Sequence, residues 1–196
     1  MGDALATWFE AETCNRSDLK NIGGGFNLRA IMALADLCYT TLVMYGRTAK
    51  IACENNLVSS ALDYIVEANT LLSGLGFESG GLSTAHGIHD CLCNLEGTHA
   101  YYHGEKVAFG TLAGLFLEAR QQTLIDDVYA FCRSVELPTT LALIGLEGIT
   151  DTELEAAILP VFHNKQSYLH NVRFDFTPEM IIGAIRMADA FGRHLG

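Results

Sequence analysis

Apolar residues recur at the spacing of an α-helix through most of this 196-residue sequence. In the stretch 28–45, one helix face collects Ile31, Leu34, Cys38, Leu42 and Tyr45. Asn27 directly precedes this stretch and is predicted to cap it, because an asparagine side chain can accept a hydrogen bond from a free amide of the first turn. Comparable patterns predict further helices over 2–12, 48–54, 60–73, 105–120 and 123–135.

Capping residues mark the boundaries of the later helices. Pro138 ends the helix predicted over 123–135. The sequence TDTE at 150–153 is a capping box that opens a helix towards Pro160. Thr177 followed by Pro178 provides a cap and a first-turn proline for a last helix that ends near residue 196.

Strand-like alternation of apolar and polar residues is scarce, and the segment 141–146 is the only short candidate strand. Three glycines at 23–25 could form a phosphate-binding loop, but no apolar strand precedes them and a GxGxxG pattern is absent, so a connector is favoured. A chain of this length folds as one or at most two small domains. The sequence therefore predicts an all-α helical bundle.

Charge and composition restrict the class of partner. The net charge of −11, with scattered Lys and Arg, argues against nucleic acid or an anionic membrane as a partner. No uncharged run approaches the length of a membrane span. Hydrophobic residues make up 49% of the chain, which suggests surface covered by a missing domain or by neighbouring subunits, and a homo-oligomer is expected. Six cysteines without a CxxC pair, and no signal-peptide pattern, indicate reduced thiols in a cytoplasmic protein.

Four of the seven histidines fall in the stretch 76–112: His86, His89, His99 and His103. A single histidine in an apolar stretch is usually a hydrogen-bonded core residue, but burying several without a purpose is costly. His86 and His89 would share a helix face, as would His99 and His103 if that segment is helical. Two imidazoles could hold a metal with a third ligand from elsewhere. Spacing alone does not choose the pair.

Asp3 lies in the first turn of the predicted helix 2–12. A carboxylate is favoured there because it interacts with the free amides and the positive end of the helix dipole. On the sequence alone, this structural role is sufficient to explain Asp3.

Three separated segments resemble one family of enzymes. They are GDALATWFEAE (2–12), GFESGGLSTAHGIHD (76–90) and YYHGEKVAFGTL (101–112), and together they resemble the glycerol dehydrogenase branch of the iron-containing (group III) alcohol dehydrogenases. In that family a dinucleotide-binding domain precedes a helical C-terminal domain, and the catalytic metal lies between them. The sequence resembles only the helical domain, so residues 1–196 are expected to form the metal-binding catalytic domain, with the dinucleotide-binding domain absent.

The resemblance also implies a ligand set. It makes Asp3, His86 and His103 the metal ligands and the catalytic residues, with zinc as the metal in this branch and iron in relatives. Two imidazoles and one carboxylate would leave a coordination position open for substrate. His89 and Phe77 are expected to line the substrate pocket.

The reaction implied is the oxidation of glycerol, or a similar small polyol, to dihydroxyacetone with NAD as the hydride acceptor. Because NAD would be held by the missing domain, the chain alone is expected to be inactive. One alternative is a helical metal-dependent hydrolase, but only Asp90 and Glu96 offer carboxylates close to the histidines. Another alternative is a non-catalytic oligomerisation module that keeps the fold.

Overall fold

The computed structural model describes residues 1–195, which form nine α-helices and no β-strand. This confirms the all-α prediction. No helix in this part of the chain is both long enough and apolar enough to cross a membrane. The helices are α1 (Gly2–Arg16), α2 (Arg29–Glu54), α3 (Ser60–Glu67), α4 (Ser73–Gly80), α5 (Thr84–Leu92), α6 (His103–Leu117), α7 (Gln122–Ser134), α8 (Asp151–His163) and α9 (Pro178–His194).

Helix α6 forms the centre of the bundle. From Lys106 to Leu117 it is buried at every position except Phe116, which is partly buried. A helix that is apolar all round must be covered on all sides. Helices α1, α5, α7 and α9 pack against it. Its first turn, which contains His103, is the part that remains accessible.

Glycines allow α6 to approach its neighbours at backbone distance. A Cβ atom on Gly2 would lie 2.0 Å from the carbonyl oxygen of Gly104, so the first turns of α1 and α6 touch. A Cβ atom on Gly110 would lie 2.4 Å from the carbonyl oxygen of Ala85 on α5. Side chains at these positions would push the helices apart. The glycines thus bring the starts of α1 and α5 onto α6.

A buried polar network ties the end of α6 to the end of α1 and to the start of α5. Glu118, just past α6, accepts hydrogen bonds from Thr13 of α1 at 2.8 Å and from Thr84 of α5 at 2.7 Å. Arg120 pairs with Glu118 at 3.2 Å and with Glu12 at 2.6 Å. Because α1 and α6 touch at both their starts and their ends, they run side by side in the same direction.

Several predicted boundaries were confirmed. The side chain of Thr150 accepts from the backbone amide of Glu153, as expected for a capping box. Thr177 caps α9, with Pro178 at its first position. Asp3 lies in the first turn of α1. Helix α8 continues past Pro160 and ends at His163.

Two predictions for α2 were wrong. The segments predicted as 28–45 and 48–54 are one continuous helix. Asn27 does not cap it, because the residue at the cap position is Leu28. The side-chain amide of Asn27 instead donates to the carbonyl oxygens of Ala11 at 3.0 Å and Gly80 at 2.7 Å. The side chain of Asn27 therefore bonds to these two distant carbonyl groups instead of to an amide in the first turn of α2.

Two further local predictions differ from the structure. The candidate strand 141–146 contains a turn of 3-10 helix, Ala142–Ile144, in which Ile144 is fully buried. The segment predicted as a helix over 60–73 changes at Ala68–Leu72 to a π-helical turn and continues as α4. An apolar run of five or six residues does not distinguish a strand from a buried turn.

The close contact of α5 and α6 predicts opposite effects for two glycine substitutions. Gly110→Ala should lower the free energy of unfolding by about 1–3 kcal/mol, because the new methyl group meets a backbone oxygen that cannot rotate away. Gly183→Ala on the exposed side of α9 meets nothing within 4 Å, so it should raise the free energy of unfolding by about 0.5–1 kcal/mol.

Urea denaturation of both variants checks this. Equal effects in the two variants would contradict the argument, since both substitutions change helix propensity in the same way and only Gly110 lies at a helix contact.

Candidate metal centre

Three residues far apart in the sequence converge at one end of the bundle. Asp3, His86 and His103 each place a possible ligand atom within 4.8 Å of the others. Nε2 of His86 lies 3.3 Å from Oδ1 of Asp3, and Nε2 of His103 lies 3.2 Å from the same oxygen. Among residues 1–195, these three residues form the one group of His, Cys, Asp or Glu side chains whose possible ligand atoms lie this close together.

Each of the three residues lies in the first turn of a helix. Asp3 is near the start of α1, His86 near the start of α5, and His103 is the first residue of α6. The contact between Gly2 and Gly104 brings the neighbouring Asp3 and His103 together. The contact at Gly110 holds α5, and with it His86, against α6. The site therefore follows from the packing of α1 and α5 against α6.

The cluster is open to solvent on one side. The side chains of Asp3 and His103 are 46% and 54% exposed, whereas that of His86 is 13% exposed. His86 therefore forms the inner wall, and Asp3 and His103 form the rim. A small molecule could reach the nitrogen and oxygen atoms from the exposed side.

The two imidazoles are each contacted from behind at Nδ1. Nδ1 of His86 lies 2.6 Å from Oε2 of Glu10, and Nδ1 of His103 lies 3.0 Å from Nε2 of His89. Since both rings are contacted at Nδ1, both direct Nε2 towards Asp3. Nε2 is the atom that each ring presents to the shared space.

The electrostatics of the cluster distinguish the two imidazoles. Burial alone would lower the pKa of His86, but the carboxylates of Glu10 and Asp3 outweigh it and raise the pKa to about 10. Burial and the neighbouring His89 lower the pKa of His103, and Asp3 offsets them only in part. The hydrogen bond from His86 lowers the pKa of Asp3. Without a metal, His86 is therefore the imidazole that carries a positive charge at neutral pH, with a proton on both ring nitrogens.

Of the other residues expected at the site, His89 is the one in contact with this cluster. His89 is buried behind His103, and its Nδ1 lies 3.1 Å from Oδ1 of Asp90. His99 follows a short turn outside the helices, with Nε2 3.1 Å from the carbonyl oxygen of Cys93. Phe77 lies on α4 and is 39% exposed. The structure therefore brings His86 together with His103, a pairing that sequence spacing does not suggest.

Glu10 was not among the site residues expected from the sequence. It lies seven residues after Asp3 on α1, so the two carboxylates share one face of the helix and both reach the ring of His86. An acidic residue two helical turns from a candidate ligand, in an otherwise apolar segment, is a signal that could have identified it.

The chain is similar to known proteins in both sequence and fold. No family model matches the chain. Glycerol dehydrogenase of Thermotoga maritima is 51% identical over 193 residues, which cover 98% of this chain and 53% of that protein. Glycerol dehydrogenase of Citrobacter freundii is 45% identical over the same shares of the two chains.

Solved structures agree with this. A crystal structure described as a probable glycerol dehydrogenase from Sinorhizobium meliloti superposes with a TM-score of 0.94 at 42% identity. The superposition covers 100% of this chain and 55% of that one. The chain thus spans about half the length of the relatives it matches. Over its whole length, the chain is similar to the C-terminal helical half of glycerol dehydrogenases.

Proposed function

We propose that this chain is the metal-binding catalytic half of an NAD-dependent dehydrogenase for glycerol or a similar small polyol. The observation that supports this most directly is the convergence of Asp3, His86 and His103, with ligand atoms within 4.8 Å of one another. These are the residues that the family resemblance implies as ligands, and nothing in their sequence spacing requires them to meet.

The donor set fits a divalent metal ion. Two imidazole nitrogens and one carboxylate oxygen are ligands that zinc accepts in catalytic sites, with a further position left for a small molecule. The same set is compatible with Fe(II). The exposed side formed by Asp3 and His103 would provide that position. We take zinc as the metal and keep iron as the alternative.

The residues of this chain would then have distinct roles. Asp3 supplies negative charge at the rim, and the two imidazoles supply neutral nitrogen atoms that face it. A bound zinc ion contributes Lewis acidity towards a substrate hydroxyl group. The buried wall at His86 excludes water on the inner side, so a polyol would approach from the rim.

NAD would be held outside the residues described here. A dinucleotide is usually bound where a parallel strand leads into a helix, and residues 1–195 contain no strand. We therefore propose that NAD is bound by a separate dinucleotide-binding domain. Apolar side chains exposed on the surface support a homo-oligomer; among them are Phe26, Leu28, Met44 and Val58. Six cysteines without a disulfide support a cytoplasmic enzyme.

The hydrolase alternative gains no support from the geometry. Asp90 is directed at His89 rather than at Asp3, and Glu96 lies in a short turn between α5 and α6. A hydrolase with two metals needs more carboxylate ligands around the histidines than this cluster provides.

We expect one zinc ion per chain. Elemental mass spectrometry of protein loaded with zinc and then desalted should give about one equivalent, and His86→Ala should lose most of it, because the inner ligand is gone. His163→Ala changes an exposed histidine at the end of α8 and should keep the zinc. Full retention of zinc by His86→Ala would contradict the ligand assignment.

The affinity for zinc should rise with pH. Without metal, the raised pKa of about 10 keeps His86 protonated at neutral pH, and zinc must displace that proton to bind. The apparent association constant should therefore rise by about tenfold per pH unit between pH 7 and pH 9, since one proton is released. Competition with a chromophoric chelator at each pH measures this. An affinity that is constant over this range would show that no proton is displaced.

The 196-residue chain assayed by itself should not oxidise glycerol. Hydride transfer requires the nicotinamide close to the bound alcohol, and this positioning accounts for several kcal/mol of a typical barrier. Zinc-loaded chain with glycerol and NAD should give no increase in NADH absorbance, and calorimetry should detect no NAD binding at millimolar concentration. NADH production that His103→Ala abolishes would show that these residues suffice for turnover.

A further inference from the structure

Glu10 is a buried carboxylate that the proposed reaction does not use directly. Its side chain is 1% exposed, and the cationic group that pairs with it is the imidazole of His86. Burying a carboxylate is costly unless its oxygens are well bonded. The contacts of Glu10 therefore indicate what the burial achieves.

The hydrogen bonds of Glu10 lead to the start of α5. Its Oε1 accepts hydrogen bonds from the backbone amides of Ser83 at 2.8 Å and of His86 at 2.9 Å. Its Oε2 lies 2.6 Å from Nδ1 of His86. Since Ser83 precedes α5, one carboxylate from α1 both caps α5 and holds the ring of a residue in its first turn.

The direction of the hydrogen bonds determines which nitrogen of His86 is free. Oε1 is occupied by two N–H donors, and Oε2 of the carboxylate accepts from Nδ1 of the ring. A neutral His86 then carries its only proton at Nδ1. The lone pair of Nε2 is left directed at Asp3.

We propose that Glu10 is a positioning residue that fixes the tautomer and ring orientation of His86, so that Nε2 is presented as a metal ligand. This inference rests on the proposed metal site. The pattern, in which a carboxylate accepts the second N–H of a ligating histidine, is one by which proteins orient metal ligands and increase their basicity.

Glu10→Gln separates positioning from packing. The glutamine amide has nearly the same shape as the carboxylate, but one of its two ends is an acceptor oxygen and the other is a donor NH2 group. Its carbonyl oxygen can replace Oε1 towards the two backbone amides, which places the NH2 group against Nδ1 of His86. The ring must then accept at Nδ1 and carry its proton at Nε2, which blocks the metal-binding nitrogen.

The matched control is Asp189→Asn. Asp189 is also a buried carboxylate, and it accepts from the backbone amide of Leu141 at 2.9 Å. It lies on α9, with Arg193 as its ion-pair partner, and no histidine among residues 1–195 forms a hydrogen bond or ion pair with it. Both substitutions should reduce stability, but only Glu10→Gln should change the metal site.

The experiment measures zinc affinity by chelator competition in the wild type, Glu10→Gln and Asp189→Asn. Glu10→Gln should bind zinc about 10–100-fold more weakly, which is the usual effect of removing such a partner, and Asp189→Asn should bind as the wild type does. The cobalt-loaded protein gives a second readout, because its visible absorption bands should change in Glu10→Gln alone. In zinc-loaded wild type, proton NMR should show a slowly exchanging downfield Nδ1 proton of His86 that Glu10→Gln lacks.

Glu10→Asp is the second variant in case the amide does not fold. It keeps the charge at the start of α5 but is one methylene shorter, so it cannot reach the backbone amides and Nδ1 together. Zinc affinity should fall by about tenfold, the lower end of the same range.

The outcomes distinguish the two proposals. If wild type binds zinc, His86→Ala loses it, and both Glu10 variants that fold bind as tightly as wild type, the positioning role is wrong and the metal site stands. If wild type binds no zinc, the metal site fails and the positioning role fails with it. An equal loss of affinity in Asp189→Asn would show that the effect is one of general stability, and would also overturn the inference.

Discussion

The contact between the backbones of Gly2 and Gly104 is the constraint on which the candidate site depends. It lets the first turns of α1 and α6 touch, and any side chain at residue 2 would meet the carbonyl oxygen of Gly104. The residues beside the contact, Asp3 and His103, then become neighbours. A side chain at this contact would push the two helix starts apart and move Asp3 away from His103.

The starts of α1 and α6 meet at the site, and this has an electrostatic consequence. The first turn of a helix carries free amides and partial positive charge. Bringing two of them together beside two imidazoles would disfavour a cation unless negative charge is added. Asp3 and Glu10, both on α1, supply it from opposite sides of His86. One helix therefore provides both carboxylates, while α5 and α6 each provide an imidazole.

The fold class could be predicted from the sequence because helix periodicity and caps are local. Thr150 and Thr177 bond to amides three residues ahead, so their roles are visible in a short segment. Asn27 could not be assigned in this way. Its partners, Ala11 and Gly80, are 16 and 53 residues away. Whether Asn27 caps its own helix or bonds to these distant carbonyl groups depends on how the helices pack.

The same distinction applies to the candidate site. The sequence by itself determined that Asp3 begins a helix and that the histidines cluster in one stretch, and motif resemblance then selected His86 and His103. Only the tertiary structure decided that these side chains meet, and that Glu10, 76 residues from His86, lies behind its ring. Local patterns record what a residue does within its own helix. A ligand set is a property of the distances between helices, and these are set by which backbones can touch.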